Sequence, residues 1–289
     1  MMRHLTQSSL AASVLLILLA TGNAQTQDAP GAGAALPAPE QQASLVSASP
    51  KSPNVSTNYV ESGASYLGIT NGYGYWAGGY SRIVYQQGNN TWAGEMNAQH
   101  EFGDAGLYFA AGDTHTFSPD WYGSLTVGSS AGGFFWPRLR GDALMNKKWL
   151  GRKQWITTIG YTYFEAKDVH RNHSAFFGST YYFDKPWILE EGLYVNISNP
   201  GKVFTPSGFV ALTKGKNKEQ FITARLGLGE EGYQLVGPTT TLTQFRSQSL
   251  TLTWRKWLGV TWGMNAVGDF YSNPFYTRGG SSFGFFKEF

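Results

Sequence analysis

The sequence predicts an all-β protein, a transmembrane antiparallel up-and-down β-barrel of about fourteen strands, within a range of roughly 12 to 16, with both termini in the periplasm. Three observations lead to this prediction. Side chains alternate with a period of two along many short segments, tight turns separate these segments, and tryptophans gather beside the turns. The composition agrees: 16% of the residues are aromatic and only 14% are charged, whereas soluble domains carry roughly a quarter charged residues.

Residues 121–164 show the alternation most clearly. Between positions 154 and 164, most odd positions hold large apolar or aromatic side chains. Between positions 135 and 149, the odd positions from Pro137 to Met145 are uncharged, and the even positions carry Arg138, Arg140, Asp142, Asn146 and Lys148. Each segment therefore has one apolar face and one polar face, as a half-buried strand does. A soluble β-sandwich would show the same alternation, so the remaining observations are needed to choose between the two.

About fourteen strand-like segments follow one another, and the spacing of roughly sixteen residues per strand and turn suits the tilted strands of a membrane barrel. They begin near Tyr59, Tyr73, Thr91, Gly106, Trp121, Phe135, Gln154, Ser174, Trp187, Phe204, Glu219, Leu242, Val260 and Arg278.

The connections predict the orientation. Links after even-numbered segments are tight, for example residues 87–90 and 258–259. Several links after odd-numbered segments are longer, and they include residues 198–203, 230–241 and 272–277. Because outer-membrane barrels have short periplasmic turns and longer external loops, this pattern places both termini in the periplasm.

Tryptophans near the short turns predict an aromatic girdle at one membrane interface. The expected girdle residues are Trp92, Trp121, Trp149, Trp155, Trp187, Trp257 and Trp262.

The first 57 residues differ from the rest. Arg3 and His4 precede an apolar run and small residues at a cleavage position after Ala24, so residues 1–24 are predicted to be a secretory signal peptide. Residues 25–57 are rich in Ala, Pro and Ser and are predicted to form a disordered periplasmic tail. Residues 58–289 then form the barrel.

Other classes of protein fit less well. No long apolar run follows the first 25 positions, so a helical membrane span is not expected. The net charge of +3 is small and its Lys and Arg residues are scattered, which argues against nucleic acid. The glycines fall inside strands or at turns rather than in a phosphate-binding loop, and no cofactor is expected.

The sequence resembles the YaiO family of outer-membrane β-barrel proteins. The resemblance rests on residues 120–123 (DWYG), residues 129–137 (SSAGGFFWP), the pair Arg138 and Arg140, and the turn at residues 255–259 (RKWLG). Residues 276–289, which end on Phe289, also fit. The resemblance implies a bacterial outer-membrane barrel of the kind encoded with exopolysaccharide machinery, and it suggests polysaccharide transport.

The polar faces predict a lumen, and a barrel of this size is wide enough for a polar one. The function expected first is a channel for polysaccharide or small polar solutes. A barrel whose inward charges pair and close it, in a structural role within an envelope secretion system, remains the alternative. The residues expected to line the lumen are Glu95, Asn97, Glu101, Arg138, Arg140, Asp142, Arg225, Arg255 and Asp269.

Enzymatic activity is not expected. A lipid hydrolase needs a nucleophile beside a base, but adjacent strand residues such as His173 and Ser174 point to opposite faces. His115 with Ser118 runs into a predicted periplasmic turn, the wrong side for lipopolysaccharide. His170 and His173 have too few further ligands nearby for a zinc site.

The expected partners are outer-membrane lipid and lipopolysaccharide, the barrel-assembly machinery through Phe289, and polysaccharide as a candidate cargo.

Overall fold

A computed structural model describes residues 58–184 and 186–289. The predicted signal peptide, residues 1–24, and the predicted tail, residues 25–57, lie outside the described residues. Fourteen antiparallel strands form one closed barrel in which every strand pairs with its neighbours in the chain. This confirms the predicted fold. Among the described residues no helix is long and apolar enough to cross a membrane.

The strands have the following bounds: β1 Tyr59–Ile69, β2 Tyr75–Gln87, β3 Asn90–Glu101, β4 Asp104–Thr116, β5 Trp121–Gly132, β6 Leu139–Trp149, β7 Trp155–Glu165, β8 Arg171–Tyr182, β9 Trp187–Asn199, β10 Val203–Lys216, β11 Gln220–Leu235, β12 Thr241–Trp257, β13 Trp262–Ser272 and β14 Thr277–Glu288.

The first and last strands close the barrel. They pair antiparallel from Tyr59 opposite Glu288 to Ile69 opposite Arg278. The start of β1 and the end of β14 therefore lie at one end of the barrel, which we call the terminal rim, together with the turns that follow even-numbered strands. The opposite end, with the links that follow odd-numbered strands, is called the distal rim.

Alternation along the strands divides the wall into two faces. Large apolar side chains on one set of positions are exposed on the outside of the barrel, for example Met96, Leu125, Ile159, Phe177, Leu226, Leu252 and Phe270. Polar and charged side chains on the other set are buried inside, for example Glu61, Arg140, Asp142, Asn196, Ser249 and Asn265. An apolar exterior around a polar interior is the pattern of a membrane-spanning barrel.

The predicted strand starts agree closely with the structure, with two informative differences. β6 begins at Leu139 rather than near Phe135, because residues 133–138 form the link that precedes it. The expected long loop at residues 230–241 is mostly strand, since β11 continues to Leu235 and β12 starts at Thr241.

Most of the predicted girdle tryptophans lie on the outer surface near the terminal rim. Trp92, Trp121, Trp149, Trp155 and Trp262 are exposed, and Trp187 is half-buried beneath the ammonium of Lys214. The ammonium of Lys147 lies 3.7 Å from the ring centre of Trp149. Such pairs suit an interface where rings face the acyl chains and cations reach water.

Trp257 was wrongly assigned to the girdle. Its side chain is buried inside the barrel and its Nε1 donates to Glu288 at 3.0 Å. The reason is the strand period, which puts Trp257 on the same face as Arg255. Trp254, on the opposite face, is exposed and contributes to the girdle instead.

The outer face predicts that an introduced charge destabilises the barrel more at the middle of the membrane than near a rim. Leu226 lies midway along the membrane part of β11, and Leu226→Arg should destabilise the barrel by about 2–4 kcal/mol, whereas Ile222→Arg, near the terminal rim, should cost about 0–1 kcal/mol. Urea unfolding from lipid vesicles, followed by tryptophan fluorescence, measures both. Thr251→Arg is the inward-facing control, and a larger cost for it than for Leu226→Arg would mean that the faces are reversed.

Candidate functional site

Ion pairs line the lumen from one rim to the other. Near the terminal rim, Arg255 Nη1 lies 3.0 Å from Glu61 Oε2. Arg82, which lies opposite Glu61 on the neighbouring strand, pairs with Glu95 at 2.9 Å. Because each pair joins inward-facing side chains, the interior offers charged hydrogen-bonding groups along its length.

Two further pairs lie toward the distal rim. Arg140 Nε donates to Asp142 Oδ2 at 2.6 Å, and both side chains are only 10% exposed. Arg278 Nη2 donates to Asp269 Oδ1 at 2.9 Å. Glu101 lies near the Arg278 guanidinium and is almost fully buried.

The structure places most residues of the predicted lumen on the inner wall. It brings Asn97 into a hydrogen bond with Glu95, and it pairs Asp142, Arg255 and Asp269 as described above. Sequence reasoning named Arg140, the partner of Asp142, but it missed Glu61, Arg82 and Arg278, because the pairs that they form depend on the strand register.

Arg138 is placed differently from the prediction. It lies in the link before β6, its side chain is exposed, and it bonds to Glu165 at 3.4 Å and to the Lys167 carbonyl at 3.0 Å. Glu165 follows Tyr161 and Tyr163 on the outer face. Arg138 thus belongs to the distal rim rather than to the lumen wall.

Inward aromatic rings pack against glycines of the wall. The ring of Tyr80 contacts Gly63, where an added Cβ would come within 2.6 Å of the ring. The rings of Phe176 and Phe209 both pack against Gly192. A glycine without a side chain lets a ring approach the backbone this closely.

One aromatic cluster carries a cation. Phe176 and Tyr194 have ring centres 4.6 Å apart, and Phe209 packs beside both of them. The guanidinium carbon of Arg225 lies 3.5 Å from the ring centre of Phe209. On another part of the wall, Tyr108 stacks on Trp136 at 4.9 Å.

An apolar cluster, which we call the distal cap, lies at the distal rim. It gathers residues from the β11–β12 hairpin, β13 and three links, namely Tyr73, Phe102, Val236, Leu242, Phe245, Tyr271 and Tyr276. β11 and β12 are the longest strands, and their pairing keeps one register from Gln220 opposite Lys256 to Leu235 opposite Thr241.

Hydrogen bonds hold this hairpin on both sides. Tyr233 Oη donates to the Pro200 carbonyl at 2.8 Å, and its ring lies 5.2 Å from that of His170. On the other side Gln234 bonds to Tyr276, whose burial raises the pKa of its phenol. The hairpin is thereby tied to links on both of its sides at the distal rim. No local pattern in the sequence predicts contacts between segments so far apart in the chain.

The histidines considered for catalysis or metal binding do not converge. His173 lies on the outer face and shares a hydrogen bond of 2.6 Å with Tyr161, while Ser174 is buried on the inner face. His170 bonds to Asp168 at 2.9 Å. No group of three or more potential metal ligands exists among the described residues.

The packing of rings on glycine predicts a stability difference. Gly192→Ala should destabilise the barrel by about 1–3 kcal/mol, because the added methyl forces Phe176 and Phe209 away from the wall. Gly141→Ala is the matched control, since a Cβ there meets nothing within 4 Å. Urea unfolding of both variants measures the difference, and equal stabilities would contradict the described packing.

Two solved structures with a similar fold are a channel for monoaromatic hydrocarbons and a toluene transporter. The CymD monoaromatic hydrocarbon channel has a TM-score of 0.56 at 7% identity and covers 80% of this chain and 88% of its own. The Pseudomonas putida toluene transporter TodX has a TM-score of 0.54 at 9% identity, with 80% and 89% covered. At these identities the likeness shows the fold alone. No curated protein matches the sequence significantly.

A family model settles the relationship. The YaiO membrane beta barrel domain matches residues 57–234, which is most of the described barrel and includes residues 120–123, residues 129–137 and the pair Arg138 and Arg140; the turn at residues 255–259 and residues 276–289 lie beyond the match. Together with the closed barrel of fourteen strands, this match identifies the chain as a bacterial outer-membrane protein that belongs to the YaiO membrane β-barrel family.

Proposed function

We propose that this barrel is a channel for polar solutes, with polysaccharide chains or their fragments as the favoured cargo. The observation that carries the proposal is the line of ion pairs from Glu61 and Arg255 near the terminal rim to Asp269 and Arg278 near the distal rim. A lumen with charged groups along its length suits solutes that exchange hydrogen bonds with water for hydrogen bonds with the wall.

The inward aromatic rings support a carbohydrate in particular. Sugars present hydroxyl groups at their edges and apolar C–H surfaces on their faces. The Phe176, Tyr194 and Phe209 cluster offers ring surface beside Arg225, whose guanidinium donates hydrogen bonds. Ring surface next to charged donors matches both parts of a sugar.

The terminal rim is proposed to face the periplasm. The exposed tryptophans near that rim and the tight turns after even-numbered strands support this orientation. The distal cap would then lie at the cell surface.

The distal cap also favours a second function. Apolar side chains over a mouth exclude water and ions, and the inward ion pairs satisfy one another. A non-conducting barrel with a structural role in an envelope secretion system would have these two features. Conductance separates the two functions.

Single-channel recording of the refolded barrel in a planar bilayer tests the main proposal. A stable conductance that added polysaccharide fragments block in a concentration-dependent way is the expected result. A barrel that never conducts, even after the cap is weakened as described below, would favour the structural function.

Ion selectivity tests the lumen assignment. Arg255→Gln removes an inward positive charge and leaves Glu61, so the permeability ratio of K⁺ to Cl⁻ should rise by roughly twofold or more. Arg138→Gln removes an exposed charge outside the lumen and should leave the ratio near that of the unmodified protein. Equal shifts in the two variants would refute the placement of these two arginines.

Weakening the distal cap should increase conduction. Tyr276→Ala removes a buried ring that packs against Tyr73 at 5.4 Å and Tyr271 at 5.6 Å, and the hairpin should then leave the mouth more often. The open probability in single-channel recordings should rise severalfold, whereas Tyr85→Ala on the outer surface should not change it. An unchanged open probability for Tyr276→Ala would mean that the cap is no barrier.

A further inference from the structure

The outer wall carries a groove near the terminal rim, across strands β3 to β6. Small residues at Gly94, Ala111 and Ala143 leave a space of about 850 Å³. Larger side chains border it, among them Trp92, Leu125 and Met145. Its position on the lipid-facing wall follows from the exposure of Trp92 and Leu125.

A carboxylate opens into this groove. Asp113 pairs across the sheet with Trp92 on one side and with Leu125 on the other, so it shares their outward face. Its Oδ1 is buried and has no hydrogen-bond partner within the described part of the chain. A charged side chain on the lipid-facing wall is costly unless something pairs with it.

A polar strip connects this carboxylate with the terminal rim. His115 is the next outward residue of β4, and it also lines the groove. It bonds to Asn90, at the start of β3. Asn90 and His115 thus form a polar strip within the aromatic girdle. A polar headgroup at the interface can contact this strip and reach Asp113.

We propose that this groove binds a phospholipid with a primary amine, phosphatidylethanolamine, whose ammonium pairs with Asp113 while an acyl chain fills the space between Trp92 and Met145. Charge complementarity selects this occupant. The ammonium supplies the positive donor that Asp113 Oδ1 lacks among the described residues, whereas the net negative headgroup of phosphatidylglycerol would be repelled. The choice of a phospholipid rests on the proposed periplasmic orientation of the terminal rim, because phospholipid forms the periplasmic leaflet of the outer membrane.

Native mass spectrometry of the protein extracted from membranes in mild detergent tests the proposal. Phosphatidylethanolamine and phosphatidylglycerol with identical acyl chains are added in turn. The protein should bind the ethanolamine lipid at least fivefold more tightly. Asp113→Asn should reduce this preference to less than twofold, because the amide carries no charge.

Matched controls separate a specific site from general lipid binding. Glu191 also lies on the outer face, between Ser179 and Val210, and Glu191→Gln should leave the preference intact. Ala143→Leu fills the groove and should remove the tightly bound lipid, whereas Ala266→Leu, elsewhere on the outer face, should not.

Three results would overturn the proposal. They are no headgroup preference in the unmodified protein, a preference that survives Asp113→Asn, and dimers that Ala143→Leu dissociates, which would make a second copy of the chain the occupant. Each is independent of whether the lumen conducts. A heat-dependent shift in gel mobility confirms that every variant is folded.

Discussion

Pairing of the first strand with the last is the constraint on which the rest of the structure depends. A membrane offers no hydrogen-bond partners, so an open sheet edge would leave a row of unsatisfied backbone groups. The β1–β14 ladder runs from Tyr59 and Glu288 to Ile69 and Arg278 and removes both edges. It also fixes the register. Because a shift by one residue would exchange the faces of a strand, closure decides which side chains meet lipid and which meet the lumen.

Closure gives the barrel wall two chemically different faces, an outer one and an inner one. Outside, large apolar side chains meet the acyl chains. Asp113 and Glu191 are charged exceptions on this face, and Asp113 is where we propose that an ethanolamine lipid binds. Inside, arginines and carboxylates pair with one another, and rings such as Tyr80 and Phe209 pack against glycines. Paired charges and ring surface together in the interior support the proposal that a sugar chain passes through it.

Local periodicity predicted the strands because the period of two extends over each of them, from the aromatic positions of β7 to the alternation of β11. The same period places Trp257, two residues after Arg255, on the inner face. Its position beside a turn instead suggested the aromatic girdle, and that assignment is wrong. Arg138 has the parity of a lumen residue, yet the ladder starts only at Leu139. The distal cap could not be predicted at all. It depends on contacts such as that of Tyr233 with Pro200, between segments whose meeting only the closed barrel determines.

The most direct test of this account is cysteine accessibility along β12. The chain has no cysteine, so each introduced thiol reports on one position. Ser249, Thr251 and Thr253 should react with a charged, membrane-impermeant thiol reagent, and Leu250, Leu252 and Trp254 should react only with a lipid-soluble one. Strict alternation would establish a water-filled lumen behind a lipid-facing wall. Uniform reactivity, or alternation in the opposite phase, would contradict the assignment of faces on which the channel proposal rests.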